Sequence, residues 1–241
     1  MIQKTTDENL VHALWKETWI KVLTYFLLSC LIIFLVFNKQ ISNSIIRSYQ
    51  PVINQNIITS NDKTKFKSDP NSVRKLTLAQ ITSARINAKD IPIIGQISVP
   101  DDGINLPIAR GINNKNLAFA AGTFRQDMKM GQGNYALAGH NMSNLGPNLL
   151  FSPLYYRAKV GQKIYVTDMR KIYIYQITTK QFISKYRVDL VENTKSKIIT
   201  LITCDAIGNN RLLVRGKYIK KLQYKNAPQN LQRAFNRKFN Y

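Results

Sequence analysis

The chain has 241 residues and carries 35 Lys and Arg against 13 Asp and Glu, a formal net charge of +22. Hydrophobic residues make up 44 %, enough for a packed core, so wholesale disorder is excluded. The charge points to an anionic neighbour (nucleic acid, membrane or cell envelope) and says nothing about fold.

The first element is apolar. Val22 to Phe37 reads VLTYFLLSCLIIFLVF without a charge, and Trp19 and Ile20 extend it past Lys21. At about 1.5 Å per residue such a stretch just covers a bilayer's hydrocarbon core. Trp15, Trp19 and Tyr25 suit an interfacial belt, and Lys16, Lys21 and Lys39 can snorkel. A cleaved signal peptide would need an n-region holding Asp7, Glu8 and Glu17, with only Ser42-Asn43-Ser44 as a weak cleavage match. An uncleaved signal anchor is favoured. Lys4, Lys16 and Lys21 before the span slightly favour an inside N-terminus over Lys39 and Arg47 after it.

Residues 39–71 are rich in Asn, Ser, Lys and Gln and read as a stalk. Asp69-Pro70-Asn71-Ser72 has the chemistry of a helix entry, and Val73, Leu76, Leu78, Ile81 and Ile86 predict a short amphipathic helix up to Ala88. The period then changes to two. IIGQISVP, INLPIARG, NYALAGH, QKIYVTD, KIYIYQITTKQFI, KIITLITC and RLLVRGKYI alternate apolar and polar residues between turn signals. That pattern predicts an all-β barrel or sandwich. Residues 226–241 are polar and basic, with a short helix expected around Leu231 to Phe239 or else a solvated tail.

Two cysteines are present, Cys30 inside the apolar run and Cys204 at the end of a strand. A bridge between a membrane segment and a distant domain is implausible, and neither has a neighbour at zinc-finger spacing. Cys204 is therefore a free thiol, either a small buried hydrophobe or a nucleophile. His12 precedes the span, so His140 is the one imidazole on the same side as Cys204. Arg211 opens the strand after Cys204 and shares a face with Leu213 and Arg215 by period two. Its guanidinium could donate to a carbonyl or an oxyanion, and its nearness to the loop favours it over Arg215.

These segments, Thr200-Leu201-Ile202-Thr203-Cys204, the ALAGHN run holding His140, RLLVRG holding Arg211, and IGQISVPDDGINLPIARG from Ile94 to Gly111, resemble the sortases, most closely class A, over roughly Thr77 to Lys220. The resemblance implies a mostly β fold, an eight-stranded β-barrel with short helices behind an N-terminal transmembrane helix. It divides the chain into a cytoplasmic 1–17, a signal anchor 18–38, an extracellular stalk 39–71, a catalytic domain 72–221 and a basic C-terminal tail 222–241. It implies a cysteine transpeptidase acting on secreted proteins with an LPXTG-type signal, and a lipid II cross-bridge amine as acceptor. Cys204 would be the nucleophile, His140 the acid–base group and Arg211 the oxyanion partner. Ala138, Thr200, Ile202 and Thr203, with Val188 and Leu190 from the loop Ser184–Lys197, match substrate-binding positions. Some sortases bind calcium near this loop, but Asp127, Asp189 and Glu192 make an incomplete cage, so no metal and no cofactor is expected. A pilin-polymerising or hydrolytic relative and a basic envelope-binding module are the competing readings. A nucleic-acid partner is disfavoured, since no recognition motif is present.

Overall fold

The computed structural model describes residues 2–62, 66, 73, 76–204 and 210–241, with side chains from Trp15 onward. The chain forms two compact units, residues 1–41 and Ser42–Tyr241. The first is most of helix α1 (Ile2–Arg47). From Trp15 it is long and apolar enough to cross a bilayer, with none of its apolar window buried. One such helix near the N-terminus is consistent with a single-pass anchor.

The second unit is a closed barrel of eight strands. They are β1 (Ile93–Val99), β2 (Ile104–Ala109), β3 (Ala121–Thr123), β4 (Asn134–Ala138), β5 (Lys163–Thr167), β6 (Lys171–Ser184), β7 (Ile198–Cys204) and β8 (Asn210–Gln223). Around the ring they run β1-β2-β3-β4-β7-β8-β6-β5, and β5 closes back on β1. Closure leaves no open edge for another chain to pair with. Period two sends Ile97, Leu106, Ile108, Tyr135, Leu137, Val166, Tyr175, Ile199, Leu201, Leu212 and Val214 into one buried cluster. Each fully buried Ile or Leu contributes about 1.5–3 kcal/mol.

Two pairs, β2 with β3 and β4 with β7, are parallel. Parallel neighbours need long crossovers. The β4–β7 crossover carries α5 (Ser152–Arg157), β5 and β6. Strand β3, only three residues long, is absent from the sequence reading because a period of two cannot be recognised over so short a run.

The segment read as a stalk packs in part on the barrel. Ile46 and Tyr49 join the core, and α2 (Gln55–Asp62) contacts β1. Asn61 Nδ2 donates to Ile93 O at 3.0 Å, and Arg85 Nε donates to Ser48 Oγ at 2.9 Å. The helix expected from Val73 is α3, Leu78–Ile86, begun by Thr77, whose side chain accepts from Gln80 N while Gln80 caps back. The proposed entry at Asp69–Ser72 lies outside the described residues. The final segment is also packed: α6 (Gln229–Asn236) buries Leu231 and Phe235 with Ile172 and Ile174.

The β1–β2 turn holds Asp102, fully buried, with no hydrogen-bond partner for either carboxylate oxygen among the described residues. Burial pushes its pKa up to about 6, against the opposing pull of Gln162, Lys180 and Arg157. Since the folded value lies above the unfolded one, its contribution is intact below about pH 4 and lost as pH rises through about 6. Asp102→Asn is expected to raise stability at pH 8 by on the order of 1–3 kcal/mol and to change little at pH 4. Denaturant midpoints at the two pH values check this.

Candidate active site

The register of three strands brings the candidate residues together. In the parallel pair, Asn134 faces Ile198 and Ala138 faces Ile202, at a constant offset. Gly139 N donates to Ile202 O at 3.0 Å and Asn141 Nδ2 donates to Cys204 O at 3.0 Å, so the segment that carries His140 runs on beside the end of β7. On the other side, Cys204 is directly paired with Arg211. Neighbouring strands lie about 4.8 Å apart. The His140 segment, Cys204 and Arg211 therefore meet at the ends of β4, β7 and β8, with the end of β7 in the middle.

Parity decides which face carries Cys204 and Arg211. Residues paired across a ladder share a face. Cys204, Ile202 and Thr200 thus share one face with Ala138 and Ala136 of β4 and with Arg211, Leu213 and Arg215 of β8. Their alternates, Leu201, Ile199, Leu212, Val214, Leu137 and Tyr135, fill the barrel core. Cys204 and Arg211 stand on the outer face, at the end of the barrel where β7 stops.

His140 is buried, and its Nε2 has no hydrogen-bond partner among the described residues. Burial alone pulls its pKa down to about 4. The imidazole is therefore neutral at pH 7, able to accept a proton once a donor arrives. Cys204 is partly exposed and free of any disulfide. The glycine before His140 has a steric reason. A Cβ at Gly139 would lie 2.5 Å from the Phe151 ring, forcing either the ring or the His140 backbone to move.

The two arginines of β8 have separate tasks. Arg215 donates from Nε to Thr200 Oγ1 at 3.3 Å and from Nη2 to Leu190 O at 2.9 Å. It ties the strand floor to the loop between β6 and β7. Arg211 pairs with Cys204 in the ladder, and its Nη1 donates to the neighbouring Asn210 O at 3.1 Å. The preference for Arg211 near the thiol agrees with this division of contacts.

The expected substrate-binding residues do not all stand together. Ala138, Thr200 and Ile202 are on the face of Cys204, Thr200 fully buried beneath Arg215. Thr203 belongs to the opposite, interior parity of β7 and is 2 % exposed. Its backbone adjoins Cys204, but its side chain does not share the face of the thiol. Val188 is 67 % exposed on the short turn Val188–Val191, and Leu190 is half-buried on the same turn.

That turn is tethered from β4 and the loop before it. Asn134 Nδ2 donates to Leu190 O at 3.0 Å and Glu192 O at 2.9 Å. Arg125 donates to Val191 O and to Asn134 O, the latter at 3.1 Å. Two of the three acids weighed for calcium have arginine partners: Asp127 lies 3.2 Å from Arg125, and Asp189 lies 2.8 Å from Arg187. Among the described residues no group of three His, Cys, Asp or Glu could hold a metal ion. Arg125→Ala is expected to raise KM about tenfold, the size of one lost charge-assisted hydrogen bond, with kcat nearly unchanged. Initial rates across peptide concentrations separate the two constants.

Two contributors are missing from the sequence reading. Asn141 Nδ2 donates to Cys204 O at 3.0 Å, bridging the His140 segment to the end of β7. Its place directly after His140 was the available signal. Arg125, on the loop before β4, tethers the Val188–Val191 turn.

Comparison with known proteins fits this geometry. A sortase-domain family profile matches residues 97–219. Sortase A of Streptococcus agalactiae is 37 % identical, covering 86 % of this chain and 87 % of its own. Sortase A of Listeria monocytogenes is 36 % identical over 71 % of this chain and 78 % of its own. A crystal structure of the Listeria monocytogenes sortase A superposes with a TM-score of 0.56 at 36 % identity, covering 61 % of this chain and 99 % of that one. Sortase C-3 of Streptococcus pneumoniae shares the fold, at a TM-score of 0.55 and 20 % identity over 82 % of this chain and 97 % of that one. The chain belongs to the sortase family, as a class A cysteine transpeptidase of surface-protein anchoring.

Proposed function

We propose that this chain cleaves LPXTG-type sorting signals between Thr and Gly and transfers the severed protein to the cross-bridge amine of lipid II. The observation that carries the reading is the His140 segment bonded to the end of β7 through Asn141, with Arg211 paired with Cys204 on the other side.

Cys204 gives its proton to neutral His140, and the thiolate attacks the Thr carbonyl. The Arg211 guanidinium donates to the oxyanion of the tetrahedral intermediate. His140, now an imidazolium, protonates the departing Gly amine, leaving a thioester on Cys204. The incoming amine loses its proton to His140 as it attacks that thioester. The new amide leaves, and the thiol is restored. Ala138, Ile202 and Thr200 form the floor under the signal. Val188 and Leu190 border it on the Leu-Pro side, and Thr203 holds the end of β7 from within the barrel.

In this reading residues 18–38 anchor the enzyme in the cell membrane, with 1–17 cytoplasmic and the catalytic unit outside. The +22 charge suits an anionic envelope. The stalk shortens at the end next to the anchor, because residues 42–62 belong to the same unit as the barrel.

The test incubates the full chain in detergent with an LPXTG peptide and a glycine-based amine. The expected result is amine-dependent ligation product and a Cys204 thioester trapped by hydroxylamine. Cleavage without transfer would point to a protease instead, and the same yield from Cys204→Ala would end the transpeptidase reading.

A further inference from the structure

The segment Arg237–Tyr241, past the end of α6 and read from sequence as the close of a short helix or else a solvated tail, runs along β2 and meets the loop that carries His140. Asn105 of β2 holds it at three points. Asn240 N donates to Asn105 O at 3.0 Å, Asn105 N donates to Asn240 Oδ1 at 2.7 Å, and Asn105 Nδ2 donates to Arg237 O at 2.7 Å. Tyr241 is buried, and its hydroxyl donates to Phe119 O. The segment is thereby fixed at both ends, and Asn240 faces Asn148–Leu150.

Asn240 spends its remaining groups on that loop. Its Nδ2 donates to Asn148 O at 2.9 Å and Leu150 O at 2.8 Å, while its carbonyl accepts from Leu150 N at 3.0 Å. Both backbone groups of Leu150 are therefore taken by one residue. Leu150 has φ 51, a left-handed conformation that a leucine avoids unless its surroundings impose it. Leu150 also bridges Asn141, and the next residue, Phe151, donates from N to His140 O at 3.1 Å. Asn141 in turn donates to Cys204 O. One continuous set of contacts runs from Asn240 through Leu150 to the backbone carbonyls of His140 and Cys204.

We propose that Asn240 is a positioning residue for His140, clamping Leu150 in its left-handed conformation so that the loop holds the imidazole beside Cys204. This rests on the catalytic reading of His140 and Cys204 given above. Asn240 touches neither reacting group, so its effect passes through the loop backbone. Acyl transfer requires the imidazole within hydrogen-bonding reach of both the sulfur and the amine, and a small displacement is costly to the rate and nearly neutral to peptide binding.

The test compares Asn240→Asp, Asn240→Ala and Lys238→Ala in the full chain in detergent, at a temperature where circular dichroism finds each folded. Asn240→Asp keeps the oxygen that accepts from Asn105 and replaces the two donors with an anion facing two carbonyls. Both Asn240 variants are expected to lower kcat about tenfold with KM within about twofold, as a misplaced catalytic group does. Lys238→Ala, on an exposed neighbour, should leave both constants unchanged. The second readout is the His140 imidazole by NMR in a His12→Gln background, where it is the only histidine. Its titration point should move up toward the free value in the Asn240 variants as the loop loosens and admits water. Unchanged kcat, or a lowered kcat with the titration point unmoved, overturns the positioning role. Undiminished product from Cys204→Ala in the same assay overturns the catalytic reading itself, whatever the Asn240 variants do.

Discussion

Cys204→Ala is expected to give no hydroxylamine-sensitive thioester and no ligation product above the rate of the uncatalysed mixture. The loss is total because the covalent intermediate has no other donor: Cys30, the second cysteine, lies in the apolar stretch of α1 that is long enough to cross a bilayer. His140→Ala should lower kcat by about 10²–10⁴ and leave KM largely intact, the range for removal of a general acid–base group. The pH dependence distinguishes this residue from any other. Burial holds the His140 pKa at about 4, below its unfolded value of 6.5. The folded state thus favours the neutral imidazole. Its share of stability is intact above about pH 6.5 and is lost as pH falls toward 4. His140→Gln, neutral at every pH, should therefore gain stability relative to wild type as pH falls between those values, a difference that stands apart from the opposite slope of Asp102 present in both proteins. A His140 NMR titration centred near 6.5 in the free enzyme would contradict the buried, neutral imidazole.

Arg211→Ala should lower kcat/KM by about 10²–10³, the range measured when an oxyanion donor is removed. Arg211→Lys should recover only part of the loss, since an ammonium lacks the planar fork that reaches two acceptors at once. Arg215 supplies the contrast. Its guanidinium already bonds Thr200 and the Leu190 carbonyl, so Arg215→Ala should act on KM through the loop rather than on kcat. Equal kcat losses in the two variants would contradict the division of labour between them. The same peptide assay, run to saturation, decides it.

Much of this site was legible in the sequence. Strands β1, β2 and β4 to β8 announce themselves by alternation between turn residues, and the candidate trio comes from a free thiol, a lone imidazole and the arginine opening the next strand. What the sequence does not reveal is partnership across distance. The β4–β7 pairing joins segments separated by two strands and a helix, and period two carries no record of which strand lies alongside. Thr203 is instructive: its motif places it next to Cys204, and adjacency in a strand means the opposite face. Residues 42–62 read as a stalk because Asn, Ser and Gln dominate, while Ile46 and Tyr49 join the core. The last segment hid its role similarly, as Asn240 acts through amide hydrogen bonds that leave no periodic trace.

The parallel alignment of β4 with β7 also bears on when the chain becomes active. The His140 segment and the end of β7 meet only after everything between them has folded into α5, β5 and β6 and β7 has docked. Such distant pairings are slow and form late, because a long loop must close before any contact rewards it. A nascent or half-folded chain therefore carries an ordinary thiol with no base beside it. Completion of the barrel is thus the step that brings the His140 segment to the end of β7.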